Sequence, residues 1–230
     1  MLYLRIMFDR ESHKEQLRLI MKQWTEAQID EHTDYMAAKY LTVRKGPNVV
    51  HLDYFGSMLD ADELVLLNNK LADAALELSS FDKSGIPYNS LQDFSLQAYI
   101  AISASVLGNL LSGIGPNAAW DAIKCVTVYT WHRFRKIKTI GSKQSMNFGL
   151  KVNIGNGNGL ELKLDGDFSE ETALKALDKG LKLMRDFQPK EKPQFSNFHV
   201  FDPETGEWAE IDVMAAIRAT IAANSKTGEA

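Results

Sequence analysis

The chain has 230 residues, 45% hydrophobic and 24% charged, proportions of an ordinary folded protein and not of a disordered or collagen-like one. A formal net charge of −4 excludes a surface built throughout for nucleic acid while leaving room for a local basic patch. The single cysteine, Cys125, excludes an intramolecular disulfide and a cysteine-based zinc cluster. A lone thiol points to a reducing, cytoplasmic setting.

The first residues, Met1 to Asp9, lack the basic start and long apolar run of a signal peptide. Leu4, Ile6 and Phe8 alternate with Tyr3, Arg5 and Met7, which predicts a strand and a chain folded from its start. Ser12 and Glu15 have capping-box spacing, and Leu17, Ile20 or Met21, and Trp24 recur at helical spacing, so a helix is expected from about residue 12. Gly46-Pro47-Asn48 carries turn chemistry between two extended runs within 43–54. There Val50, Leu52 and Tyr54 share one face, and His51 and Asp53 share the other. Asp60 and Glu63 repeat the capping spacing, followed by the stripe Leu64, Leu67, Leu71, Ala74 and Leu78.

From Phe94 to Trp120 there is no charged residue. Ala98 to Gly115 reads as an apolar helix in which Ala104, Gly108 and Ser112 stand four apart, a spacing that lets two helix backbones approach closely. After the break at Gly115-Pro116-Asn117, Trp120, Ile123, Thr127, Trp131 and Phe134 suit one face of a second helix. The β-branched run Val126 to Tyr129 fits a strand almost as well. Further on, Phe148, Leu150, Val152 and Ile154 alternate with polar residues up to the glycine turn at 155–159. Leu160, Leu162 and Leu164 return, and Leu174, Leu177, Leu181 and Met184 form a helical stripe after Ser169. A third unit of the same order runs through Phe198, Val200, the turn at 202–206, Trp208 to Ile211, then Met214, Ile217 and Ile221. The expected fold is α+β, with repeated β-hairpin–helix units in a two-layer sandwich around a central apolar helical pair. It divides into an N-terminal unit at 1–90, the apolar helical segment with its basic flank at 91–140, and a C-terminal pair of units at 141–230.

Three features offer functional readings, each with a plain alternative. The charge-free segment fits a buried core or subunit interface packed through Ala104, Gly108 and Ser112, or a membrane-inserting hairpin. The run Trp131-His132-Arg133-Phe134-Arg135-Lys136-Ile137-Lys138 interleaves rings with cations. Through Arg133, Arg135, Lys136 and Lys138 it would bind nucleic acid or anionic lipid, unless it is the solvated end of a helix. His51 and Asp53 stand side by side on one strand face, placed for a carboxylate-oriented imidazole; the solvated side of a half-buried strand explains them equally. Asp30, Glu31, His32 and Asp34 read as a charged helix surface, and no metal or cofactor motif is found.

The order of an apolar small-residue segment, a Trp131-Xaa-Arg133-Xaa-Arg135-Lys136 flank, a glycine hairpin and an amphipathic helix over residues 98 to 185 resembles small effector-associated components of bacterial conflict and antiphage defence systems. The resemblance implies a defence or signalling context and carries no catalytic residue. The expected function is therefore a non-enzymatic, cytoplasmic assembly protein, self-associating or bound to another subunit, with membrane association open. An enzyme using His51 and Asp53, or a membrane or nucleic-acid binder using residues 131–143, stands as the alternative.

Overall fold

A computed structural model of the chain describes residues 9–22, 24–44, 46–55, 58–83, 98–112, 118–141, 148–155, 158–166, 168–187, 197–212 and 215. The expected strand at residues 3–8 lies outside them, as does the last helix beyond 215. Within them the chain forms six helices and seven strands.

Two helices come first, α1 (Arg10–Ile20) and α2 (Glu26–Thr42). Asp9, not Ser12, caps α1, because its carboxylate reaches the Ser12 amide at 3.1 Å. Leu17 and Ile29 are buried. Outside them the two helices are tied by ion pairs between Arg10 and Asp34, Lys14 and Asp30, and Arg18 and Glu26.

The strands β1 (Val49–Tyr54), β2 (Glu77–Asp82), β3 (Ala98–Ile102), β4 (Phe148–Gly155), β5 (Asn158–Leu164), β6 (Asn197–Asp202) and β7 (Glu207–Ile211) build one mixed sheet in the order β2-β1-β3-β4-β5-β6-β7. Parallel and antiparallel pairs alternate across it. Each parallel pair needs a crossover, and helices supply it. These are α3 (Ala61–Ala72) between β1 and β2, α4 (Ala104–Ser112) and α5 (Ala118–Gly141) between β3 and β4, and α6 (Glu170–Asp186) between β5 and β6. The sheet runs through the boundaries drawn at 90 and 140, since β1 pairs with β3 and β3 with β4.

One sheet face carries the core. Val50, Leu52, Ile100, Leu150, Leu160 and Leu162 have no exposed surface, and they join Leu67 and Leu71 of α3, Ile123 and Trp131 of α5, and Leu177 of α6 in one cluster. Bonds across the helix layer fix its spacing. Glu63 on α3 accepts from Tyr129 and Arg133 on α5, and Asp178 on α6 accepts from Trp120 and Lys124 on α5.

Several expectations need correction. Val43 and Arg44 are not a strand, because both sides of β1 are taken by β2 and β3. The Arg44 main chain instead donates to Ser79 Oγ at 2.9 Å, and its guanidinium to the Leu78 carbonyl at 2.7 Å. The stripe after Asp60 stops at Ala72: Ala75 turns left-handed at φ 58°, Leu76 donates back to the Leu71 carbonyl, and Leu78 belongs to β2. Ala98–Ile102 is a central strand, not the start of a helix. Ala98, Ile100 and Ile102 are sealed against the helices, and short apolar runs do not separate strand from helix by periodicity. Val126 to Tyr129 lie in α5. Among the described residues, no helix packs closely against the small-residue stripe of α4. Ala104, Gly108 and Ser112 are exposed, nothing described lies within 4 Å of where a Gly108 side chain would begin, and α4 packs on β4 while α5 packs against α3 and α6.

Candidate functional site on the polar face

Alternation sends the odd-numbered residues of β1 to the other face of the sheet. There His51 aligns with Ser79 on one side and Ala101 on the other, with Lys151 and Glu161 continuing the row on β4 and β5. Asp53 aligns with Phe81 and Tyr99 in the next row. Two residues apart on one strand are about 6.6 Å apart along the chain, which an imidazole leaning toward a carboxylate closes. His51 Nε2 stands 2.6 Å from Asp53 Oδ1. The contact is a charge-assisted hydrogen bond in which the imidazole N–H donates and the carboxylate accepts.

Asp53 is only 5% exposed, so its charge needs partners. Its second oxygen, Oδ2, faces Lys83 Nζ at 3.7 Å. The Lys83 backbone is held there by its amide, which donates to the Tyr54 carbonyl. Burial lowers the Lys83 ammonium from its ordinary value; Asp53 pulls it back up and the Lys151 cation lowers it further. Both ammonium groups approach the Tyr99 ring, Lys83 at 5.3 Å and Lys151 at 4.3 Å from its centre.

The other imidazole nitrogen, Nδ1, is 3.4 Å from Ser79 Oγ, a long contact that a better donor can replace. Ser79 Oγ also accepts the Arg44 amide, and Arg44 and His51 both line a cavity of about 620 Å³. Lys151, Glu161, Asn153 and Ser103 give the cavity its other polar groups, and Val43, Val49, Ile102 and Leu160 its apolar wall. Lys151 Nζ is 3.5 Å from Glu161, beyond close hydrogen-bonding range. Ser103 accepts the Val106 amide at 3.2 Å, so the amino end of α4 opens at the rim.

This arrangement suits proton exchange. Asp53 fixes the tautomer with the proton on Nε2 and leaves the Nδ1 lone pair, 3.4 Å from Ser79 Oγ, as the basic atom of the ring. It suits nucleophilic catalysis less well, since Ser79 is 2% exposed and is not among the cavity-lining residues. Among the described residues no three His, Cys, Asp or Glu side chains converge on a metal position.

The basic stretch lies on α5 and is differently engaged. Trp131 and Phe134 are core residues, at 1% and 3% exposure, so their rings do not offer stacking surfaces. Arg133 pairs with Glu63, and Arg135 donates to the Phe168 carbonyl while lying 4.6 Å from the centre of the Trp131 ring. Lys136 is exposed, and the Lys138 side chain lies outside the described residues. No helix among the described residues is long and apolar enough to cross a membrane. Comparison with known proteins finds no matching family, no matching curated protein and no matching solved structure, so the resemblance to defence-system components rests on the order of features alone.

Sequence reasoning singled out His51 and Asp53 but not the residues that surround them. Lys151 and Glu161 were visible as the polar side of an alternating hairpin. Ser79 and Lys83 had no signal, because β2 itself went unread and the pairing spans 28 to 30 residues of chain.

Proposed function

We propose that the chain is a small-molecule enzyme that exchanges a proton with a ligand held in the cavity, with His51 as the base and Asp53 orienting it. The observation that carries this reading is the 2.6 Å bond from His51 to a buried carboxylate at the wall of a cavity of about 620 Å³. A carboxylate-backed imidazole facing such a cavity is a recurrent acid–base arrangement. Arg44, Lys151 and the amino end of α4 favour an acidic group on the ligand, and the apolar wall favours a hydrocarbon body beside it.

The test incubates parent protein and His51→Gln with a small-molecule cell extract, followed by mass spectrometry. A species consumed by the parent and left untouched by the variant supports the reading. No difference between the two, with both folded, overturns it.

A second reading is self-association through α4, supported by the exposed Ala104, Gly108 and Ser112. Light scattering would show a multimer that Gly108→Leu disrupts; a monomer at every concentration ends this reading. A cytoplasmic accessory role in bacterial defence is supported only by the order of features in residues 98 to 185 and by the exposed Cys125, which suits a reducing compartment.

A further inference from the structure

Three residues stand in line across the open face of the sheet: His51 on β1, Ala101 on β3 and Lys151 on β4. All three line the cavity. Neighbouring strands lie about 4.8 Å apart, so His51 and Lys151 flank a gap of two spacings, about 9.6 Å between their backbones. The floor of that gap is the methyl group of Ala101. Two residues earlier on the same face of β3, Tyr99 fills the corresponding place with a ring, whose centre lies 4.3 Å from Lys151 Nζ. Tyr99 is not among the described residues that line the cavity. The cavity is therefore open where β3 carries a small side chain and closed where it carries a large one. Strands are depleted in alanine and enriched in β-branched and aromatic residues. Ala101 nevertheless stands, half-buried, in an interior strand of the seven-stranded sheet.

We infer that Ala101 is the specificity-determining residue of the cavity: it sets the bulk of the ligand body, which lies over its methyl group with an acidic end at Lys151. The inference deepens the reading above and rests on its claim that the cavity holds an acidic ligand. The ligand class is an organic acid with a bulky hydrocarbon body. Val43 and Val49 supply apolar wall for that body. Lys151 can serve the acid without giving up Glu161, because its ammonium carries three donors and Glu161 holds it from one side at 3.5 Å. A larger side chain at position 101 would take up the space over the floor while leaving Lys151 in place.

Two acids of equal charge and different bulk test this, propionate and 2-naphthoate. Each is titrated into the full chain while the backbone amides of β3 and β4 are followed by NMR. With the parent, 2-naphthoate should bind more tightly than propionate and shift these amides. Ala101→Leu should weaken 2-naphthoate by about tenfold or more and propionate far less. Ala101→Val, a residue that strands favour, repeats the comparison in case leucine disturbs the fold. Lys151→Met should weaken 2-naphthoate while leaving the neutral 2-naphthamide unchanged. The inference is overturned if the parent does not bind 2-naphthoate, or if both variants at position 101 weaken the two acids equally or not at all. Binding of 2-naphthoate by Lys151→Met as tight as by the parent overturns it too. Failure of the acid–base reading is a separate result, since that reading turns on consumption of a ligand and these titrations on binding alone.

Discussion

On β1, Val50, Leu52 and Tyr54 are sealed under helices, while His51 and Asp53, each one residue away, carry a charged cluster at a cavity. The β4–β5 hairpin repeats the contrast, with Leu150, Val152, Leu160 and Leu162 on one face and Lys151, Glu161 and Lys163 on the other. The helix-covered face is held by apolar area and close packing, which respond to volume. The polar face is held by paired charges, which respond to the loss of a partner and to pH. One sheet thus separates an apolar core from a charged face by the two-residue period of the strand.

The largest expected effect breaks the apolar side. Leu52→Ala should lose about 2–5 kcal/mol in urea denaturation, because it opens a cavity at a position with no exposed surface. His51→Gln, its neighbour, loses a charge-assisted bond to buried Asp53 but opens no apolar cavity, so it should lose less, about 1–2 kcal/mol. Equal losses would mean that the two faces do not divide the work.

Two glycines sharpen the contrast within the helix layer. A side chain at Gly180 on α6 would begin 3.2 Å from Leu162 and 3.6 Å from Trp208. Gly180→Val should therefore cost about 1–3 kcal/mol. Gly108 on α4 has open space, so Gly108→Ala should gain up to about 1 kcal/mol from helix propensity. A thermal melt of each variant reads both signs, and destabilisation by Gly108→Ala would reveal a hidden contact on α4.

A gain of about 1 kcal/mol is also expected for Ala75→Gly. Ala75 is exposed at φ 58° just past the end of α3, where glycine relieves the strain of a left-handed alanine. Denaturation at neutral pH checks it. A loss there would mean that the turn between α3 and β2 is set by something other than backbone conformation.

The smallest effect concerns a charge placed on the helix side. Burial pushes the Glu63 carboxyl up, but the Tyr129 hydroxyl, the Asp60 amide and Arg133 together hold it below its ordinary value of 4.5. Its contribution is thus fully present above about pH 4.5 and is lost as pH falls through the lower folded value. The stability difference between parent and Glu63→Gln should shrink over that range and vanish below it. A difference that persists at low pH would assign the effect of Glu63 to packing and not to charge.

Local rules were enough for some of this protein. The capping box at Asp60 and Glu63, the alternating hairpin around residues 148–164, the stripe of α6 and the mixed α/β class were legible because each depends on residues a few positions apart. The shared face of His51 and Asp53 was legible for the same reason. Tertiary pairing decided the rest. Ala98–Ile102 becomes a strand because β1 and β4 flank it, and β2 takes its place because α3 returns the chain alongside β1. The same pairing turns a two-residue polar pattern into a buried carboxylate between an imidazole and an ammonium, because Lys83 is fixed there by its bond to Tyr54 after a crossover. The period of a strand tells which side a residue faces. Whether that side meets water, a helix or a charge 30 residues away is settled only when the sheet closes around it.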